Sequence, residues 1–253
     1  GSGVLRGPGD CLRSGALVAP RLGSHPRAGI RRRACLTRLA RVYNFFMTAV
    51  PQSTVGRVPE LESGDRLTLR EFERRYEAMP DDRKAELIEG VVYMSSPVSI
   101  EHGEADGIVH GWLIAYAGKH REVQMLPNAT VRVDQDNEFQ PDALLRLRSS
   151  GSARAGERYL EGAPELVVEV AASSVSRDLH SKKHVYRRAG VREYIVWRVG
   201  EGELDWFELR DGEYIQRQPD AMGFIESVQF PGLRLDVPGI LGGDIARVLA
   251  AIP

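Results

Sequence analysis

The chain has 253 residues, 42% hydrophobic and 27% charged, which is enough for one full-sized globular domain with a proper core. No apolar run approaches the roughly 18 residues of a bilayer-spanning helix, and nothing repeats at a fixed period, so membrane-spanning helices and repeat architectures are excluded. The net charge of −1 hides an asymmetry: residues 1–50 hold nine Arg, no Lys and one acid, Asp10, while the remainder carries 25 basic and 34 acidic residues.

The first segment, 1–47, is rich in Gly, Arg and Pro and shows little periodicity. It reads as a disordered leader or as sequence outside the native protein, since Gly1-Ser2-Gly3 has the composition of a cloning scar and Met47 offers a start. A basic arm for nucleic acid and a transit peptide are the alternatives. Both cysteines, Cys11 and Cys35, lie there. The body, 48–253, is expected to be a single domain without disulfides or thiolate metal sites, suited to a reducing cytoplasm.

Residues 51–66 read as a polar linker. Leu69, Phe72, Tyr76 and Met79 then recur at helical spacing behind a possible N-cap at Thr68. "AELIEGVVYM" has the β-branched character of a strand, interrupted by Glu89-Gly90. "SIEHGEADGIVHGWLIAYAGK" predicts a helix with Ile108, Trp112 and Tyr116 on one stripe. "VQMLPNATVRVDQDNEFQPDALLRL" reads as two strands around an Asp/Asn turn, and "ELVVEVA" as another strand. A helix from about Asp178 to Ala189 stops at Gly190. "REYIVWRV" is a strand, "LDWFELRDGEYIQRQ" a hairpin turning at Asp211-Gly212, and "ILGGDIARVLAAI" a short closing helix. Strands and helices mix without strict alternation, so the expected class is α/β with a mixed central sheet flanked by helices.

Strand geometry puts Glu165, Val167, Glu169 and Ala171 on one side of "PELVVEVA" and Leu166, Val168 and Val170 on the other. Glu169 is therefore an acid within a run that reads as buried on both faces, where an unpartnered carboxylate is costly. Asp142 also enters a sheet, and two acids on neighbouring strands repel unless a cation lies between them. Hard carboxylate oxygens suit Mg²⁺ or Mn²⁺. Glu89 is a third acid in an apolar strand, and convergence of Asp142, Glu169 and Glu89 would form a water-rich metal site suited to phosphoryl chemistry. Asp178, Lys182, Tyr186 and Ala189 share a helix stripe, from which Lys182 would reach the end of the strand carrying Glu169. Lys183 faces solvent, Tyr186 reads as packing, and Gln140 points away from Asp142.

Pro141-Asp142, then Glu169 on a strand, then a lysine resembles the PD-(D/E)XK nuclease superfamily. The stretches 86–102, 140–145 and 164–197, with the hairpin after them, resemble more closely the Uma-two family of restriction endonucleases, over roughly residues 65 to 250. Asp178 before Lys182, Tyr186 after it and "GVREY" beyond are the specific part. The superfamily's lysine two residues after the glutamate is replaced here by Ala171, and the family pattern supplies Lys182 from the following helix. "AASSVS" stands for the family's Ser-Pro after the glutamate, and "YIVWRV" lacks its acid after the aromatic pair. The resemblance implies a restriction-endonuclease-like fold and a Mg²⁺- or Mn²⁺-dependent endonuclease acting on DNA. In it Asp142, Glu169 and Glu89 hold the metal, Lys182 orients water, and His102, matching the family's helix histidine, assists proton transfer or contacts phosphate. The alternatives are a catalytically silent nuclease fold used as an interaction module, and a hydrolase of RNA or another phosphate ester. An acidic body favours weak or partner-assisted DNA binding through local patches such as "RDLHSKKHVYRR". Cutting both strands favours a homodimer.

Overall fold

The computed structural model describes residues 57–80 and 82–253; the leader expected over 1–47 lies outside the described residues. Helix α1 (Leu69–Tyr76) starts at Thr68, whose side chain accepts from the Glu71 amide, and it buries Phe72. Strands β1 (Ala85–Ile88) and β2 (Val91–Met94) pair directly from Ile88↔Val91 outward. Glu89 and Gly90 form the tight turn between them, with φ of 50° and 74°. The expected interrupted strand is thus a hairpin, because two consecutive left-handed residues match the twist of the flanking strands. Glu89 is carried out of the sheet by that turn.

Helix α2 (Ile100–Lys119) is capped by Ser99, which accepts from the His102 amide. In place of the two expected strands there are four: β3 (Val123–Pro127), β4 (Val131–Asp134), β5 (Asn137–Phe139) and β6 (Ala143–Leu147). Asp142 stands immediately before β6 rather than within it. After β7 (Arg154–Ala155) and β8 (Leu160–Glu161) comes β9 (Leu166–Ala171), every residue of which is buried. The following helical run has three parts: α3 (Val175–Arg177), a π-helical turn (Asp178–Lys182) and α4 (Lys183–Ala189). It ends at Gly190, whose φ of 89° is readily taken only by glycine. The π turn widens the helix at the segment carrying Asp178 and Lys182, a distortion often found at functional positions.

β10 (Glu193–Arg198) leads to the expected hairpin of β11 (Glu203–Arg210) and β12 (Glu213–Arg217), turning at Asp211-Gly212. A small pair, β13 (Phe224–Glu226) and β14 (Arg234–Asp236), precedes two short helices, α5 (Val237–Leu241) and α6 (Ile245–Ala250). The single closing helix expected there is split at Gly242-Gly243.

The class is mixed α/β as expected, but the strands divide between two six-stranded sheets instead of one. The first runs β2-β1-β5-β4-β8-β7 and the second β12-β11-β10-β9-β6-β3. Both are mixed, because β9 pairs with β10 in parallel and β4 with β8 in parallel. Leu166, Val168 and Val170 pack on the side of α2 and the C-terminal helices, with Trp112 and Trp206. Val167 and Ala171 pack on the other side with Val185 and Tyr186 of α4 and with Ile88 and Phe139 of the first sheet. The alternation in "LVVEVA" therefore separates two cores, and Glu169 belongs to the second.

Glu193 has no exposed surface and accepts from the Trp206 indole and the Val228 amide at 3.2 and 3.1 Å, and from the Ser227 hydroxyl. It joins β10 to the loop after β13. Glu193→Ala leaves these donors without an acceptor and is expected to cost about 2 to 3 kcal/mol in urea unfolding; an unchanged midpoint would show that water replaces the carboxylate. Among the described residues no helix is long and apolar enough to cross a membrane.

Candidate active site

Pairing between β6 and β9 is antiparallel, with Ala143 opposite Val168, so Asp142 falls opposite Glu169. Residues directly opposite on paired strands bring their side chains together on one face. Asp142 Oδ2 accepts from the Val170 amide at 2.6 Å, which continues the ladder through a side chain. Two acids are thereby fixed side by side at the C-terminal end of β9.

Glu169 is 4% exposed. Its Oε1 accepts from Lys182 Nζ at 3.0 Å and from the Tyr186 hydroxyl at 3.1 Å. Lys182, 3% exposed, also lies 2.9 Å from Glu86 Oε1 and 3.7 Å from Asp178 Oδ1. Glu86 stands on β1, and its Oε1 further accepts from the Gln140 amide at 3.0 Å. One ammonium is therefore shared among three carboxylates, with Asp142 as a fourth acid nearby. Asp178 accepts from the Ser174 hydroxyl through Oδ2, while its buried Oδ1 has no hydrogen-bond partner among the described residues.

Burial raises the Glu169 carboxyl well above the usual range, and the neighbouring Asp178, Asp142 and Glu86 act in the same direction against Lys182. Burial opposes the Lys182 charge, but Glu169, Glu86 and Asp178 outweigh it, so the amine holds its proton more tightly than a free lysine. Burial also raises Asp178, despite Lys182 and Ser174. His102, placed in the first turn of α2 by the Ser99 cap, sits with Nε2 3.4 Å from Asp142 Oδ1, and that contact raises its pKa above 6.5. His110, two turns along, places Nε2 2.9 Å from the Asp142 carbonyl oxygen and 3.0 Å from Asp106 Oδ1.

Glu86, Asp142, Glu169, Lys182 and His102 line an open cavity of about 550 Å³ between the end of β9, the start of α2, the helical run and the β1 hairpin. The structure brings Asp142, Glu169, Lys182 and His102 to this cavity. Glu89 is not among its lining residues: it is half-exposed in the β1–β2 turn, 3.5 Å from Arg188. Glu86, three residues earlier, occupies the place expected for it. A two-residue turn at Glu89-Gly90 puts the in-strand acid at 86, and reading that dipeptide as a turn instead of an interruption identifies it. Gln140 lines the cavity, and its side chain donates to the Tyr76 hydroxyl at 2.8 Å. Tyr186 packs against Phe139 and Tyr194 as expected for a core residue, and in addition donates to Glu169.

Among the described residues no three His, Cys, Asp or Glu side chains close into a ready-made metal cage. Magnesium does not require one: it is commonly held by one or two carboxylates and completes its octahedron with water. Asp142 and Glu169, adjacent, hard in their donor chemistry and short of positive charge, fit an ion of that type.

A family model for Uma2, described as "Putative restriction endonuclease", matches residues 69–238. No curated protein sequence matches the chain. Among solved structures, the fold is similar to that of "a putative nuclease belonging to DUF820" from Anabaena variabilis, with a TM-score of 0.56 at 14% identity over 70% of this chain and 98% of the other. At that identity the likeness concerns the fold alone.

Proposed function

Since the chain belongs to the Uma2 family of restriction-endonuclease-like proteins, we propose that it is a Mg²⁺- or Mn²⁺-dependent endonuclease hydrolysing phosphodiester bonds in DNA. The observation that carries this reading is the register of β6 on β9, which sets Asp142 opposite Glu169 with Lys182 Nζ 3.0 Å from the latter. Two adjacent carboxylates beside a buried ammonium, open to a cavity, form an arrangement for a phosphoryl centre and its attacking water.

Asp142 and Glu169 would hold the divalent ion, with Glu86 close enough to Lys182 to share its neutralisation. The ion would supply Lewis acidity at the phosphoryl oxygens and a lowered pKa for bound water. Lys182 is a donor here and not a base, because its surroundings keep it protonated. Two of its three protons serve Glu169 and Glu86. Asp178 Oδ1, at 3.7 Å, lies beyond hydrogen-bond distance, so the third is left for a water or a phosphoryl oxygen. Tyr186 holds Glu169 from behind and fixes its rotamer. His102, biased toward its protonated form by Asp142, can return a proton to the leaving oxygen.

The test is calorimetric titration of Mn²⁺ into the wild type and Asp142→Ala, beside cleavage of supercoiled plasmid with and without EDTA. Binding and cleavage in the wild type, both lost in the variant and the cleavage lost in EDTA, are expected. Cleavage that persists in EDTA would refute a metal-dependent site, and an inert wild type with metal and plasmid present would leave the fold without this activity.

A further inference from the structure

The cavity poses an electrostatic problem for a polyanionic substrate. Its floor holds Glu86, Asp142 and Glu169, and Lys182 is already engaged by acids. Attraction for a phosphate backbone must come from cations that the protein's own carboxylates leave free. In the basic run 177–188, Lys182, Arg187 and Arg188 are bound to carboxylates, and Lys183 stands 3.5 Å over the Phe207 ring. Arg177 differs. It lines the cavity, its guanidinium lies 5.5 Å over the Tyr93 ring, and its enclosed Nε has no hydrogen-bond partner among the described residues. The enclosed Nε is itself out of an anion's reach, so the two terminal nitrogens of the guanidinium are the donors a phosphate can meet. Lys84, at the start of the β1 wall, lines the same cavity and is bonded to a neutral acceptor, Asn128 Oδ1, at 3.2 Å. Among the described residues neither Arg177 nor Lys84 has a carboxylate within ion-pair distance.

We propose that Arg177, on the helical side, and Lys84, on the β1 side, form a clamp for the backbone phosphates of the DNA strand whose scissile group lies at Asp142 and Glu169. The proposal rests on the reading of this cavity as a nuclease site and adds how an acidic protein holds its substrate there. Serines 95, 96, 99 and 173 on the rim offer neutral hydroxyls to the same backbone, which adds donors without adding charge. Tyr93 holds the Arg177 guanidinium from below and leaves its other donors available.

The experiment is the salt dependence of binding to a short fluorescein-labelled DNA duplex, followed by anisotropy in EDTA so that no cleavage occurs. Removing a side chain that neutralises one phosphate lowers the magnitude of the slope of log K against log salt by about 0.9. Arg177→Gln and Lys84→Gln are each expected to show that decrease with weaker binding, Arg177→Lys to restore the slope, and Arg187→Gln, whose arginine is held by Glu213, to keep it. An Arg177→Gln slope equal to that of the wild type overturns the clamp. Wild-type hydrolysis of bis(4-nitrophenyl) phosphate with Mn²⁺ separates the two levels. Hydrolysis without any duplex binding overturns the clamp and leaves the chemistry standing. Duplex binding that depends on Arg177, without hydrolysis of either ester or plasmid, supports the clamp and overturns the nuclease reading.

Discussion

Lys182→Met is expected to lower stability by about 3 to 5 kcal/mol at pH 8, the range for removing one member of a buried charge group. Methionine matches the lysine stem in length, so little packing is lost and the effect is electrostatic. Glu169 and Glu86 lose the ammonium that lies within 3.0 Å of both, and Asp178 loses its nearest positive charge. The pH dependence has a definite sign. The Lys182 pKa is raised in the folded state, so its contribution is present throughout the range below 10.5. The deficit in the variant must narrow as pH falls, because the Glu169 and Asp178 carboxyls, already raised by burial, take up protons and end their mutual repulsion. Urea unfolding at pH 8 and pH 5 measures it, and a deficit independent of pH would assign the loss to packing.

Glu169→Gln should have the opposite character. The amide oxygen still accepts from Lys182 and Tyr186, while one negative charge leaves a cavity that has too many. Glu169 has a raised folded pKa, so its stabilising share is complete below 4.5 and is lost as pH rises through the folded value. Glutamine does not titrate, and the variant should therefore equal or exceed the wild type in stability at pH 8. Plasmid cleavage should fall at least about 10³-fold, or about 4 kcal/mol in barrier. Stability gained where activity is lost is the pattern of a site held together against its own electrostatics. If Glu169→Gln instead unfolds as readily as Lys182→Met, the pair is a structural ion pair and the catalytic reading fails.

The residues that carry this site differ in how far the sequence reveals them. Glu169 is legible because a period of two and complete burial leave an acid no solvent-facing position, and Lys182 because helical spacing aligns it with Asp178 and Tyr186. The opposition of Asp142 to Glu169 follows from strand pairing, which a linear pattern suggests but does not register. Glu86 is hidden for a local reason: the turn at Glu89-Gly90 contains no Asn or Asp to advertise its left-handed residues, so the acid before Gly90 reads as part of the strand. The first sheet, β2-β1-β5-β4-β8-β7, is not legible either. Its pairs β1–β5 and β4–β8 join segments distant in sequence through two- to four-residue strands, too short to carry a period of their own. Arg177 gives no sign beyond its charge, since its unpartnered donor exists only once the cavity is formed.

Ala171 has no exposed surface and packs with Val185 and Tyr186 on the strand face that carries Glu169, two residues beyond it. Moving the ammonium between strand and helix thus constrains the order in which substitutions can accumulate. A lineage that first lost one lysine would pass through a form with the carboxylates uncompensated, the situation of Lys182→Met. One that first gained the second would be acceptable by charge, with four acids present to receive it, but not by volume, because a lysine at 171 meets the α4 core.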